Sequence, residues 1–216
     1  MKRLTLILLT LIFAFPTFAQ TVDELANYNE PPSRLRGVIE KFGEDVGILN
    51  RFYSAQTSPN RAARFRALYT DWQALLERQD FTKLNHDEQI DYLLFQNYLR
   101  HELKELERGQ KQLAEMATLI PFAKTISDLE DSRRKLETID SAKMAALLNE
   151  LAKTIAQTQK DIETGKTPKP KRTVANRAVR TIATLRFTLQ RWNTFYNLYD
   201  PTFTWWNAEP YKAVDA

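Results

Sequence analysis

The sequence predicts an all-α fold, an irregular bundle of about six helices behind an N-terminal signal peptide. Three observations carry this. Apolar residues recur at spacings of three and four along most of the chain, the period of an amphipathic helix. No stretch shows the sustained two-residue alternation of β-branched residues that marks a strand. The 216 residues are 43% hydrophobic with only 5 Gly and 9 Pro, which suits one globular domain and excludes fibrous and low-complexity classes.

Residues 1–19 read as a secretory signal peptide. Lys2-Arg3 is a positive start, Leu4 to Phe15 a short apolar run, and Thr17-Phe18-Ala19 places small residues for cleavage before Gln20. The run is short for a membrane span, so no stable span is expected after cleavage; the alternative is an uncleaved N-terminal anchor. No Cys occurs, so neither a lipid anchor nor disulfides are available and core packing must supply the stability. These features suit a bacterial periplasmic or secreted protein. Of 31 basic residues, Lys2 and Arg3 fall in the leader, which leaves 29 against 27 acidic ones, a net charge of +2. A charge so close to balance reads as a solvated helical surface.

Residues 20–34, with Pro31-Pro32, read as an irregular lead-in, and 35–216 as the helical region. Leu35 to Tyr53 forms the first helix on Leu35, Val38, Ile39, Phe42, Val46, Leu49 and Phe52-Tyr53; Gly37, Gly43 and Gly47 weaken it and suggest a closely approaching backbone. Ser58-Pro59-Asn60 is a start signal, and Arg61 to Gln79 buries Phe65, Leu68, Tyr69, Trp72 and Leu75-Leu76. Asn85 caps the next helix, with Glu88 three residues on completing a capping box. Its stripe reads Ile90, Leu93-Leu94, Asn97-Tyr98, His101, Leu106, Leu113 and Met116, close to thirty residues in all, ended by Pro121. A short helix follows over Ile126 to Leu136. Another runs from Asp140 or Ser141 to about Glu163 on Met144, Leu147-Leu148, Leu151 and Ile155, closed by Gly165. After the basic loop Lys166 to Arg172, Thr173 to Tyr199 is the last full helix, on Val174, Val179, Ile182, Leu185, Leu189, Trp192 and Phe195-Tyr196. Pro201 breaks it, Phe203, Trp205 and Trp206 form an aromatic knot, and Glu209 to Lys212 looks like the first turn of a further helix with room for barely two turns. No stop signal follows, so the chain reads as the front part of a longer protein.

Little here points to chemistry. Two His, no Cys and no Gly-rich phosphate loop exclude most nucleophilic triads and cysteine metal sites. His101-Glu102-Leu103-Lys104-Glu105 begins like a zincin motif, but Glu105 stands where the second His belongs; His101 reads as the edge of the stripe, with Glu102 and Glu105 solvated. His86 reads as a surface residue. Asp87, Glu88 and Asp91 are explained by the dipole of the helix they start. The loop Lys166 to Arg172 with Arg177, Arg180, Arg186 and Arg191 lacks interleaved exposed aromatics, so no nucleic-acid partner is expected. No catalytic, cofactor-binding or metal residue is assigned in this chain.

Three stretches resemble a bacterial family, the domain of unknown function numbered 885. Leu84 to Arg108 is similar to its Asp-Gln-Ile-Asp-Tyr-Leu-Leu helix. Leu119, Pro121-Phe122 and Arg133-Arg134 resemble its leucine, Pro-Phe and double-arginine region. The tail Tyr199-Asp200-Pro201-Thr202-Phe203-Thr204-Trp205-Trp206, with Pro210-Tyr211, is similar to its most specific signature. The resemblance covers about 35 to the end. It implies an exported, zincin-type metallopeptidase-like protein (a hydrolase) whose zinc site, a His-Glu-x-x-Pro-Gly-His motif, lies in a C-terminal half absent here. Zinc is thus expected for the full-length family and no cofactor for this chain. The expected partner is the missing catalytic half, with a peptide substrate in the full protein. Phe203, Trp205, Trp206 and Tyr211 are the residues to line a cleft or close the junction. The alternative is a non-enzymatic periplasmic helical bundle that binds a partner or ligand.

Overall fold

In the computed structural model the described residues are 33–216, so the signal peptide over 1–19 and the lead-in up to residue 32 lie outside them. Seven α-helices and one 3₁₀ turn occupy this region, with no strand among the described residues. They are α1 (Leu35–Phe52), α2 (Pro59–Glu77), the 3₁₀ turn (Phe81–Lys83), α3 (His86–Met116), α4 (Ala123–Arg134), α5 (Ser141–Glu163), α6 (Arg172–Asn197) and α7 (Pro201–Asp215).

Most helix starts follow from local chemistry. Ser58 accepts from Arg61 N–H, and Pro59 stands in the first turn of α2, where its missing donor is harmless. The capping box of α3 is complete: Asn85 Oδ1 accepts from Glu88 N–H at 2.9 Å while Glu88 Oε2 accepts from Asn85 N–H at 3.0 Å. Asp140 caps α5 and Asp200 caps α7. Gly165, at φ 73°, takes the left-handed conformation that ends α5.

The core has two parts. The first joins α1, α2 and the front of α3 through Phe42, Phe65, Trp72, Leu76, Phe95 and Leu99. Phe42 lies at its centre, with ring centroids of Tyr69, Trp72, Phe95 and Tyr98 within 6.2 Å. The second joins the end of α3 to α4, α5, α6 and α7 through Met116, Ile126, Leu148, Leu185, Trp192 and Phe203. The 31 residues of α3, about 46 Å at about 1.5 Å per residue, serve both.

A polar clamp ties the α1–α2 connection to the second part. Glu130 of α4, fully buried, accepts from Ser54 Oγ at 2.6 Å, from Arg133 Nε and Nη2 at 2.7 and 2.6 Å, and from Arg191 Nη2 of α6 at 2.9 Å. Beside it Ser58 and Asn60 donate to Asp131, and Thr57 bonds Ser127. Burial alone would raise the Glu130 carboxyl, but the hydrogen bonds from Arg133 and Ser54 and the charges of Arg133 and Arg191 outweigh it, so its pKa lies below the ordinary value. A second anchor sits at the start of the described chain. Arg34 Nε donates to Glu88 at 2.8 Å and Ser33 Oγ to Asp91 at 2.5 Å. Glu88 is covered by Arg34, only 1% of its side chain being exposed, and the Arg34 and capping hydrogen bonds hold its carboxyl down at about 2.

Several expectations are corrected. The buried face of α3 is Tyr92, Phe95 and Leu99, whereas Ile90, Leu93, Leu94 (64% exposed) and His101 face solvent, and Tyr98 is partly exposed with its ring edge-on to Phe42. Two apolar stripes about one residue apart compete on this helix, and the aromatic one wins because Phe42 and Trp72 stand opposite. On α6 Ala178 is buried and Val179 (66% exposed) and Ile182 are not. On α1 and α2, Phe52 and Leu75 are exposed. Among the described residues nothing lies within 4 Å of where a Cβ would stand at Gly37 or Gly43, so none of their backbone approaches there. Glu88 and Asp91 do more than complement a helix dipole, since each takes a hydrogen bond from the chain ahead of α1.

The tail differs most. Pro201 starts α7 instead of merely ending α6, and the helix runs 15 residues, with Pro210 inside it. Pro210 cannot donate to the Trp206 carbonyl. The helix survives because it is docked: α5 and α7 form the most extensive helix pair. Asn207, fully buried, donates to the carbonyls of Ser141 at 3.1 Å and Phe203 at 3.0 Å. Arg186 of α6 pairs with Asp215 at 2.7 Å near the far end.

Candidate functional site

Between the two core parts lies an open cleft of about 400 Å³, the low end of the size of ligand sites. It is walled by α2, α3 and α6, with Gln56 and Thr57 at one end. Phe65, Leu106, Leu113 and Met116 give it an apolar floor; Arg61, Tyr69, Glu102, Arg177 and Thr181 give it polar groups.

Most of these groups are fixed by the fold. Arg61 donates to the Tyr53 carbonyl at 2.5 Å and to Asn50 Oδ1 at 2.7 Å, and its guanidinium lies 4.3 Å from the Phe65 ring centroid. Burial pushes the Arg61 pKa down. Tyr69 Oη donates to Glu102 Oε2 at 3.2 Å. Burial first, and then the Glu102 charge and hydrogen bond, hold the Tyr69 phenol well above its ordinary value, so it remains a protonated donor. Arg177 pairs with Glu115 at 2.7 Å. The cleft offers a phenol, a carboxylate and threonine hydroxyls over an apolar floor. Among the described residues no group of three or more His, Asp or Glu is placed to hold a metal ion. The arrangement can bind and orient a small amphipathic molecule. It does not assemble a nucleophile with its base.

The sequence singled out Phe203, Trp205, Trp206 and Tyr211, and the structure separates them. Phe203 is fully buried, 5.3 Å from Trp192 and 5.2 Å from Tyr196 between ring centroids. Tyr211 is half-buried against the same core. Trp205 (77% exposed) and Trp206 (43% exposed) face outward, edge to face at 5.0 Å. The expected knot is therefore two unlike pieces: Trp205, two residues on from Phe203, leaves the helix on the opposite side, and Trp206 packs its ring against Trp205 rather than against Phe203. None of the four lines the cleft between the cores.

His101 is exposed, and Glu105 pairs with Arg108 at 2.8 Å. Glu102, expected to be solvated, is instead the partly buried acceptor for Tyr69. The cleft residues escaped sequence reading because Tyr69 and Glu102 are 33 positions apart; the only local signal was Glu102 lying on the flank of the true α3 stripe.

No helix among the described residues is long and apolar enough to cross a membrane. Comparison with known protein families, with curated proteins and with solved structures found no match for the chain.

Proposed function

We propose that this chain is the N-terminal helical part of an exported, zinc-dependent peptidase-like protein of the domain-of-unknown-function 885 type, whose catalytic half lies beyond Ala216. The observation that carries the reading is the tail signature, Tyr199 to Trp206 with Pro210-Tyr211. Each part of it has a distinct local job: Asp200 caps α7, Pro201 fills the first turn, and Phe203 locks the helix to Trp192 and Tyr196. Trp205 and Trp206 stabilise little within these residues, and such an exposed aromatic pair fits a surface that meets further polypeptide. In this reading zinc and the water-activating glutamate belong to the missing half, and the helices described here wall a peptide cleft or close the junction. Export rests on residues 1–19. Reading the coding frame past Ala216 tests the proposal. The expected result is continuation to a His-Glu-x-x-Pro-Gly-His motif; a stop codon directly after Ala216 sinks it for this gene product.

One observation favours a second reading, a non-enzymatic periplasmic bundle that binds a small ligand. The cleft between the cores, with its protonated Tyr69 beside Glu102, is formed entirely by α2, α3, α6 and the α1–α2 connection. A stop codon together with saturable ligand binding abolished by Tyr69→Phe would establish that reading instead.

A further inference from the structure

Where α4 passes α6, a separate shallow cleft of about 360 Å³ is lined by Arg133, Phe187, Gln190, Arg191, Thr194 and Phe195. The α6 members stand at i, i+3, i+4, i+7 and i+8, one continuous helical face. Arg133 and Arg191 are both paired with the buried Glu130, whose Oε1 accepts from Ser54, Arg133 and Arg191 and whose Oε2 accepts from Arg133. Arg134 also approaches it, at 3.7 Å. Three guanidiniums thus stand around Glu130, more positive charge than that one carboxylate balances, with the buried Asp131 as the next acidic neighbour on α4. The crowding is felt: the Arg134 pKa is lowered, first by burial and then by repulsion from Arg133.

Arg133 and Arg191 spend only one edge each on Glu130. Nη1 of Arg133, and Nε and Nη1 of Arg191, have no acceptor among the described residues. Both guanidiniums are held over aromatic rings, Arg133 at 5.0 Å from Phe195 and Arg191 at 5.7 Å from Phe187. The bonds to Glu130 and Ser54 hold each guanidinium in place beside its ring, and a held fork suits a planar anion. The two phenyl walls disfavour a strongly hydrated phosphate, whose desolvation they cannot repay, and favour an anion that carries apolar surface.

We infer that this cleft binds a small organic acid, its carboxylate taken by Arg133 and Arg191 and its flat apolar portion lying against Phe187 and Phe195. Titration of the full chain with benzoate, followed by calorimetry and by ligand-observed NMR, tests this, with benzamide and inorganic phosphate as controls. Benzoate should bind saturably at one site, with benzamide and phosphate each weaker by about tenfold or more, the equivalent of one charge-assisted hydrogen bond. Arg191→Gln should weaken benzoate by a similar factor. Because Arg191 also serves the Glu130 clamp, Phe187→Ala is the second variant; Phe187 is exposed, so its loss should weaken benzoate several-fold with an unchanged melting temperature. No saturable benzoate binding, binding unchanged in Arg191→Gln and Phe187→Ala, or phosphate binding as tight as benzoate would each overturn the assignment.

Discussion

Replacing Phe203 by alanine should undock α7. The ring is completely buried and touches Trp192 edge-on and Tyr196 at a tilt. A phenylalanine takes roughly 150–250 Å² out of water, an upper limit of about 4–6 kcal/mol at about 25 cal/mol per Å². Measured truncations of buried phenylalanine cost about 3–5 kcal/mol, cavity included. We therefore expect a loss of about 4 kcal/mol, a large share of the roughly 5–15 kcal/mol that holds a domain together. For a chain of this size that is a fall of roughly 8–16 °C in Tm. Trp205→Ala, two positions on, should cost within about 0.5 kcal/mol because its ring is solvated. Urea and thermal unfolding of both variants, followed by circular dichroism, give the comparison. Equal losses, or a Phe203→Ala loss under about 1 kcal/mol, would refute the docking of α7 and the division of the tail into an inner and an outer part.

Asn85→Ala removes half of the capping box at the head of α3 and should cost about 1 kcal/mol, read from the urea midpoint. Glu130→Gln leaves Arg133 and Arg191 without their counter-charge. It should cost about 2–4 kcal/mol, less than a deeply buried pair because Arg191 is 39% exposed, and should raise proteolytic sensitivity at residues 53–58. Stability should fall on the acid side. Glu88 and Glu130 both hold their protons less tightly when folded than when unfolded, so their stabilisation is full above about pH 4.5 and is lost as pH falls, for Glu88 down to about 2. Urea midpoints measured between pH 6 and pH 2.5 should decline over that window in the wild type and less steeply in Glu88→Gln. If residues 1–19 act as the proposed signal peptide, N-terminal sequencing of the mature product should begin at Gln20.

The helices were legible because their starts and stops are written locally. Ser58-Pro59, Asn85 with Glu88, Asp140 and Gly165 each act within four residues, and the structure uses all of them. Faces were less legible. On α3, Ile90, Leu93 and Leu94 have the same helical period as Tyr92, Phe95 and Leu99, and only Phe42 and Trp72, brought in from other helices, decide which set is buried. The polar anchors were invisible for the same reason. Arg34 meets Glu88 across 54 positions and Arg191 meets Glu130 across 61, and nothing in either local sequence announces the partner. In the tail, Asp200-Pro201 resembles a stop as much as a start. The start prevailed because Phe203, Asn207, Tyr211 and Val214 place one face of the following residues against the second core.

The reading of this chain as the helical front of a zinc peptidase-like protein is tested most directly by zinc content and peptide hydrolysis, measured side by side on the 216-residue chain and on the product of the longer frame. The account predicts no stoichiometric zinc and no hydrolysis for the shorter chain, and one zinc per chain with chelator-sensitive hydrolysis for the longer one. Chelator-sensitive hydrolysis by the 216 residues alone, or a longer product that binds no zinc, would contradict it.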